Sequence, residues 1–246
     1  MLLSAKCITY GRVEFLEESL HSFLIQEYDG EREMVIVNDC PFQKLIFDHP
    51  NVRIFNLTET FNTLGDKENF ATEQCRGEIV MQWDDDDIAL PNHLQNVKKW
   101  FVEGSDLLHW QKAIFMNIPD IENISCVGNS GIVYSKKIWR EMGGYPLENA
   151  GYDMSFVLDI KNRSSNIILA EPPDDEVSWI YVWGGRGYHC SGMGTDTPDR
   201  PNVIVRHSQH IESLREQKMI PEGDVYLNPH WKHDYTQKLK DFVNAR

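Results

Sequence analysis

The hydrophobic positions of this chain follow two periods in alternation. Ala5 to Thr9 is a short β-rich run that ends at Tyr10-Gly11. Beyond it Leu16, Leu20, Phe23 and Leu24 recur at helical spacing, with Glu17 and Glu18 turned away from them. Met34-Val35-Ile36-Val37 is continuously apolar, as a strand covered on both faces should be, and Asn38-Asp39-Cys40-Pro41 closes it. Val52 to Leu57 predicts another strand, and Glu68 to Cys75 a helix stopped by Gly77. Glu78 to Trp83 predicts a strand that runs straight into Asp84-Asp85-Asp86-Asp87. After Pro91, the positions Leu94, Val97 and Phe101 mark one face of a further helix. Two more helices are predicted over Ser135–Met142 and Asp153–Asn162, with Gly143-Gly144-Tyr145-Pro146 between them. Gly184 to Pro201 has no apolar period and predicts a long loop; Arg206 to Arg246 mixes charges with aromatics and is expected to pack on the outside.

Repeated strand–helix–strand units imply an α/β fold built on a mostly parallel sheet with helices on both faces. In such sheets ligands bind beyond the carboxyl ends of the strands. Thr9-Tyr10-Gly11-Arg12, Asn38-Asp39 and the aspartate run all fall there, so the pattern locates a site by itself.

Composition narrows the partners. A chain of 246 residues, 41% hydrophobic, supports one sizeable core, or a core with a small appendage. Asp and Glu number 38 against 24 Lys and Arg, a net charge of −14 that disfavours nucleic acid and anionic lipid. Local basic patches, Lys136-Lys137 with Arg140 or Lys232 with Lys238 and Lys240, are the exceptions. The five cysteines (Cys7, Cys40, Cys75, Cys126, Cys190) lack zinc-site spacing and point to no disulfide framework, so a reduced, cytoplasmic protein is expected. The apolar start, Met1 to Tyr10, is interrupted by Ser4 and Lys6; it is too short to span a bilayer and lacks the features of a secretory signal.

Four adjacent aspartates repel one another, by about 4 kcal/mol for unit charges ~4 Å apart at an effective dielectric of ~20. Such a cluster persists where a cation or water relieves it. Hard carboxylate oxygens suit Mg²⁺ or Mn²⁺. The alternative is a solvated acidic turn, with Asp87 capping the following helix.

Taken in order, these segments resemble the nucleotide-sugar glycosyltransferases of the GT-A fold, above all the inverting family two. Ile8-Thr9-Tyr10-Gly11-Arg12 resembles the family's first nucleotide-binding strand end, and Met34 to Asp39 its second strand with a terminal aspartate. Gly65 through Asn69, then Cys75-Arg76-Gly77-Glu78-Ile79-Val80, resemble the helix and central strand that follow. Trp83-Asp84-Asp85-Asp86-Asp87 with Pro91 resembles the Asp-x-Asp motif, and Gly143-Gly144-Tyr145-Pro146 with Tyr152-Asp153 the acceptor motif. Two positions depart from the pattern: Gly11 replaces an asparagine, and Tyr152 stands where the acidic pair has a second carboxylate.

The resemblance implies a GT-A catalytic domain over residues 1–205, with its nucleotide-sugar half at about 1–100 and its acceptor half at about 101–205, and an extension packed on it over 206–246. It further implies that Asp39 reads the base, that Thr9, Tyr10, Arg12 and Asn69 line the nucleotide cleft, and that Asp84, with Asp85 beside it, faces the ribose. Asp86 would ligate a divalent metal (Mn²⁺ or Mg²⁺) on the diphosphate of a donor expected to be a UDP-sugar, with His207 or else His210 as a further ligand. Asp153 would be the base that activates an acceptor hydroxyl, with Glu148 as the alternative; a helix cap is the structural role open to Asp153. The run containing Tyr188-His189-Cys190-Ser191-Gly192 is either a cover for the donor or a passive loop, and Trp179, Trp183 and Trp231 either stack on a sugar or pack in the core.

Three other functions compete with this one. Glucosylation of a hydroxymethylated base in DNA is opposed by the net charge. A nucleotidyltransferase would want a glycine-rich basic loop where only Gly11-Arg12 stands, and a sugar-binding module would need neither the aspartate run nor Asp153.

Overall fold

The computed structural model describes residues 2–125, 131–182 and 203–246. In chain order the elements are β1 (Leu3–Thr9), α1 (Val13–Leu24), β2 (Arg32–Asn38), β3 (Gln43–Ile46), β4 (Val52–Asn56), α2 (Leu64–Gln74), β5 (Ile79–Gln82), β6 (Ile88–Ala89) and α3 (His93–Trp100). There follow β7 (Leu107–Trp110), β8 (Ala113–Asn117), β9 (Asp120–Ser125), β10 (Val133–Ser135), α4 (Lys136–Met142), α5 (Tyr152–Arg163), β11 (Ile167–Ala170) and β12 (Trp179–Val182). The chain closes with α6 (Val203–Glu216), β13 (Gly223–Tyr226) and α7 (Tyr235–Asn244).

The central sheet has seven strands in the order β11-β7-β10-β5-β1-β2-β4. Strands β1, β2, β4 and β5 run parallel, and β10 alone opposes its neighbours β5 and β7. Period-two alternation splits each central strand between two apolar layers. Leu3, Ala5 and Cys7 of β1, with Met34 and Ile36 of β2, meet Leu16, Leu20 and Phe23 of α1. Val35 and Val37 of β2 point the other way, onto Ala71 of α2, Ile138 of α4, and Phe156, Val157 and Ile160 of α5. Each large buried side chain of this kind contributes roughly 1.5–3 kcal/mol, which explains why Met34–Val37 of β2 is apolar without interruption.

Caps set the helix boundaries. Helix α2 starts at Leu64, four residues before the expected start at Glu68, because the Thr63 side chain accepts from the Asp66 amide at 3.1 Å. Ser135 caps α4 in the same way at 3.1 Å from the Ile138 amide. A second sheet, β6-β12-β8-β9, stands beside the central one, and a parallel pair β13-β3 ties the C-terminal segment to the end of β2. The C-terminal segment also docks on α1. The Tyr235 hydroxyl donates to Glu18 Oε2 at 2.6 Å, and Trp231 Nε1 donates to Ser22 Oγ at 2.9 Å. The run 184–201 and Trp183 lie outside the described residues.

Candidate functional site

A cleft of about 340 Å³ opens at the carboxyl ends of β1 and β5. One wall is the end of β1, with Thr9, Tyr10 and Arg12. The floor is Glu68, Gln82 and the aspartate run, and the far wall holds Tyr145 and the segment Asn149–Met154, including Asp153. His207 of α6 closes the side.

The four aspartates do different work. Asp84 is half-buried; its Oδ1 accepts from Gln82 Nε2 at 2.7 Å, while its carbonyl accepts from Ser19 Oγ at 2.7 Å. Asp85 and Asp86 share one guanidinium, since Arg12 forks onto both carboxylates, with Nη1 2.7 Å from Asp86 Oδ2. Asp87 accepts from Trp179 Nε1 at 3.1 Å and from the Val182 amide at 3.0 Å. It therefore anchors the run to β12 and caps no helix; Asn92 stands at the N-terminus of α3.

Burial, and next the charge of Asp86, push the Asp84 carboxyl up to about 7. Burial raises Asp85 against the opposing pull of Arg12, and raises Asp87 well above the carboxylate range. Arg12 is thus the cation that offsets the carboxylates of the cleft floor. No group of three His, Cys, Asp or Glu side chains able to hold a metal converges among the described residues. A hard cation that takes one or two carboxylates and completes its shell from phosphate and water still fits this oxygen-rich donor set. His207 fits as well. Burial and the Arg12 guanidinium lower it to about 3, so it is neutral; its Nε2–H donates to the Tyr10 carbonyl oxygen at 3.1 Å, which makes Nδ1 the nitrogen with a lone pair for a metal. His210 is exposed and does not line the cleft.

Asp153 sits in the first turn of α5, two residues after the N-cap Gly151, so it is not the cap. It lines the cleft, whereas Glu148 is exposed outside it.

Two expected nucleotide contacts stand apart from the lining. Asp39 is 2% exposed, paired with Lys67 and accepting from the Phe61 amide at 3.0 Å. Lys67 is what reaches the cleft, donating also to the Thr9 carbonyl at 2.8 Å. Asn69 has spent its amide as a clamp. Its Oδ1 accepts from the Tyr145 amide at 2.7 Å and from Trp139 Nε1 at 3.0 Å, and its Nδ2 donates to the Tyr145 carbonyl at 2.9 Å. Gly144 permits this approach: at φ +89° a Cβ there would lie 2.5 Å from Asn69 Oδ1. Trp179 and Trp231 pack away from the cleft.

Sequence reasoning missed Lys67, Glu68 and Gln82. Adjacent charges on a helix read as a solvated face, yet Lys67 and Glu68 are 3% and 1% exposed. Lys6, in mid-strand, is the only local sign that a buried carboxylate must exist nearby.

A family model described as glycosyl transferase family 2 matches residues 7–147, more than half of the chain. The chain belongs to glycosyl transferase family 2. The match to this family contains the strand ends and the aspartate run and stops short of Asp153 and His207. A curated relative, the uncharacterized glycosyltransferase YwdF of Bacillus subtilis (strain 168), is 27% identical over 152 residues, 59% of this chain and 52% of that protein. The chain thus spans about half the length of this family relative. Among solved structures, S. aureus TarS 1–349 in complex with UDP-GlcNAc is similar with a TM-score of 0.62 and 18% identity, over 99% of this chain and 72% of that one. The mannosyltransferase PcManGT of Pyrobaculum calidifontis, in complex with GDP-Man and Mn²⁺, is similar with a TM-score of 0.58 and 18% identity, over 86% and 69%. At that identity the likeness is one of fold, and that fold is GT-A. No helix among the described residues is long and apolar enough to cross a membrane.

Proposed function

We propose that this chain moves a glycosyl group from a UDP-sugar to an acceptor hydroxyl in one inverting displacement assisted by a divalent cation. The observation that carries the reading is the cleft itself. It brings Thr9, Tyr10, Arg12 and Asp84–Asp86 into one lining with Asp153, which supports a donor side and a base in the same cleft. Asp153 takes the acceptor proton while that oxygen attacks the anomeric carbon; with a single displacement, one general base suffices. Thr9, Tyr10 and Lys67 bind the nucleoside, and Asp84 meets the ribose. Asp86, with His207 in the same lining, would hold Mn²⁺ or Mg²⁺, which would supply Lewis-acid stabilisation of the departing diphosphate. Arg12 orients both carboxylates and meets diphosphate charge at the same place. The uridine assignment is supported by the neighbour in complex with UDP-GlcNAc; the neighbour in complex with GDP-Man makes guanosine the comparison to run.

The test is incubation with a panel of nucleotide sugars and Mn²⁺, following release of nucleoside diphosphate. Slow release from UDP-sugars, abolished by chelator, is the expected result. No release from any donor, with nucleotide binding also absent, overturns the reading.

A further inference from the structure

Beneath the cleft lies a polar chain that the reaction as described does not use. Lys6, 0% exposed in the middle of β1, is ion-paired with Glu68, 1% exposed on α2. Glu68 Oε1 accepts from Gln82 Nε2 at 3.0 Å, and the same nitrogen donates to Asp84 Oδ1 at 2.7 Å. Both protons of one amide nitrogen are therefore spent on two carboxylates. Turning the amide over would set its carbonyl oxygen against two anions, so Lys6 and Glu68 fix which way Gln82 faces. A fully buried ion pair stabilises a fold poorly, because desolvating two charges offsets their attraction, and apolar residues of the same volume serve a core as well or better. Stability alone does not account for a lysine in a central strand, 4.2 Å from the Tyr145 ring centroid.

We propose that Lys6, Glu68 and Gln82 form a positioning unit that holds one oxygen of Asp84 so that the other faces the donor. The inference rests on the reading of the cleft as a nucleotide-sugar site. Gln82 is a positioning residue: it acts on the donor through Asp84, and Lys6 and Glu68 act through Gln82. Removing only the last link should weaken donor engagement while sparing the fold.

The measurement is calorimetric titration of the whole chain with UDP and with GDP, each with Mn²⁺, alongside thermal unfolding. Gln82→Met keeps the Lys6–Glu68 pair and removes the donor to Asp84. It should remain folded, with a lower unfolding temperature from the two carboxylates left without their donor, and bind nucleotide about tenfold more weakly or worse, the loss of one charge-assisted hydrogen bond. KM for the donor should rise in step, with the smaller change in kcat. The double variant Lys6→Met/Glu68→Met removes the pair and the acceptor of Gln82 at similar volume and should show weakened nucleotide binding without lower stability. Wild-type affinity in Gln82→Met overturns the inference alone. Failure of the wild-type chain to bind either nucleotide overturns the reading beneath it, and the inference with it.

Discussion

At the residue scale, the cleft separates groups that hold from the one group placed to react. Asp153→Asn preserves shape and removes the proton acceptor. Nucleotide binding should survive while transfer falls roughly 10²–10⁴-fold. Loss of binding in that variant would show that Asp153 supports the wall rather than the chemistry. Asp86→Ala should abolish Mn²⁺-dependent turnover and leave the apo protein no less stable, since a repelling carboxylate is gone; full activity in the variant would remove the metal from Asp86. A third residue matters for stability alone. His93 is wholly buried among Trp83, Trp110 and Trp179, and burial lowers it to about 3. Its unfolded form takes a proton as pH drops below about 6.5 while the folded form does not, so the stability it contributes is present at neutral pH and lost on acidification. Between pH 7 and pH 5 this group should cost the wild type about 2 kcal/mol, as an order of magnitude. His93→Phe keeps the aromatic packing, and Ser178 keeps Asn96 as a donor at 3.0 Å. Urea unfolding at both pH values should show that part of the acid sensitivity missing from the variant. An identical loss in both proteins would clear His93.

Among the elements, those covered on both faces were legible from their side-chain pattern, and those completed by distant partners were not. Strands β1, β2 and β5 announce themselves because nearly every position is buried, and the turn chemistry after them places the site. By contrast β10 has three residues and β6 two, and the second sheet exists only because residues near 180 return to pair with 114–116 and 88–89. The pairing of β13 with β3 joins Gly223 to Gln43, and no local period encodes it. The same holds for the site. The aspartate run was visible, but the partners that give each aspartate its duty (Arg12, Gln82, Trp179) come from other elements. Helix α6 shows how such an element reshapes a motif. Gly11, where the family pattern has asparagine, adopts φ +71°, and a Cβ there would lie 2.5 Å from Ile211 Cγ2 of α6. The glycine makes room for the helix that carries His207. Gly11→Asn should therefore destabilise the chain by about 1–3 kcal/mol through overpacking. Adding Ile211→Ala should recover part of that loss, giving a coupling of at least about 1 kcal/mol in a double-mutant cycle. Additive losses would mean that Gly11 answers to its backbone angle and not to α6.

Over the whole molecule, charge decides how a donor can arrive. The net charge of −14 is not diluted at the cleft: Asp84, Asp85, Asp86 and Asp153 line it, beside Glu68, which is paired with Lys6, and Asp87, which burial pushes toward the protonated form, against Arg12 and Lys67. Those two cations are already engaged, Arg12 with Asp85 and Asp86 and Lys67 with Asp39. A nucleoside diphosphate sugar is itself a dianion. It therefore approaches a surface of its own sign, unlike ligands of basic phosphate sites, whose binding weakens as salt rises. Added salt screens repulsion as well as attraction, with a Debye length of ~30 Å at 0.01 M and ~10 Å at 0.1 M. In metal-free solution, UDP binding should thus be weak and should strengthen, or at least not weaken, between 10 and 100 mM NaCl. A divalent cation reverses the local sign on the cleft floor, so with Mn²⁺ present the affinity should rise at every salt concentration and its salt dependence should turn to the ordinary weakening. Titrations of UDP across that range, with and without Mn²⁺, read both slopes directly. A metal-free affinity that falls steeply with salt would mean that Arg12 and Lys67 outweigh the carboxylates of the cleft, and that the site attracts the diphosphate without help.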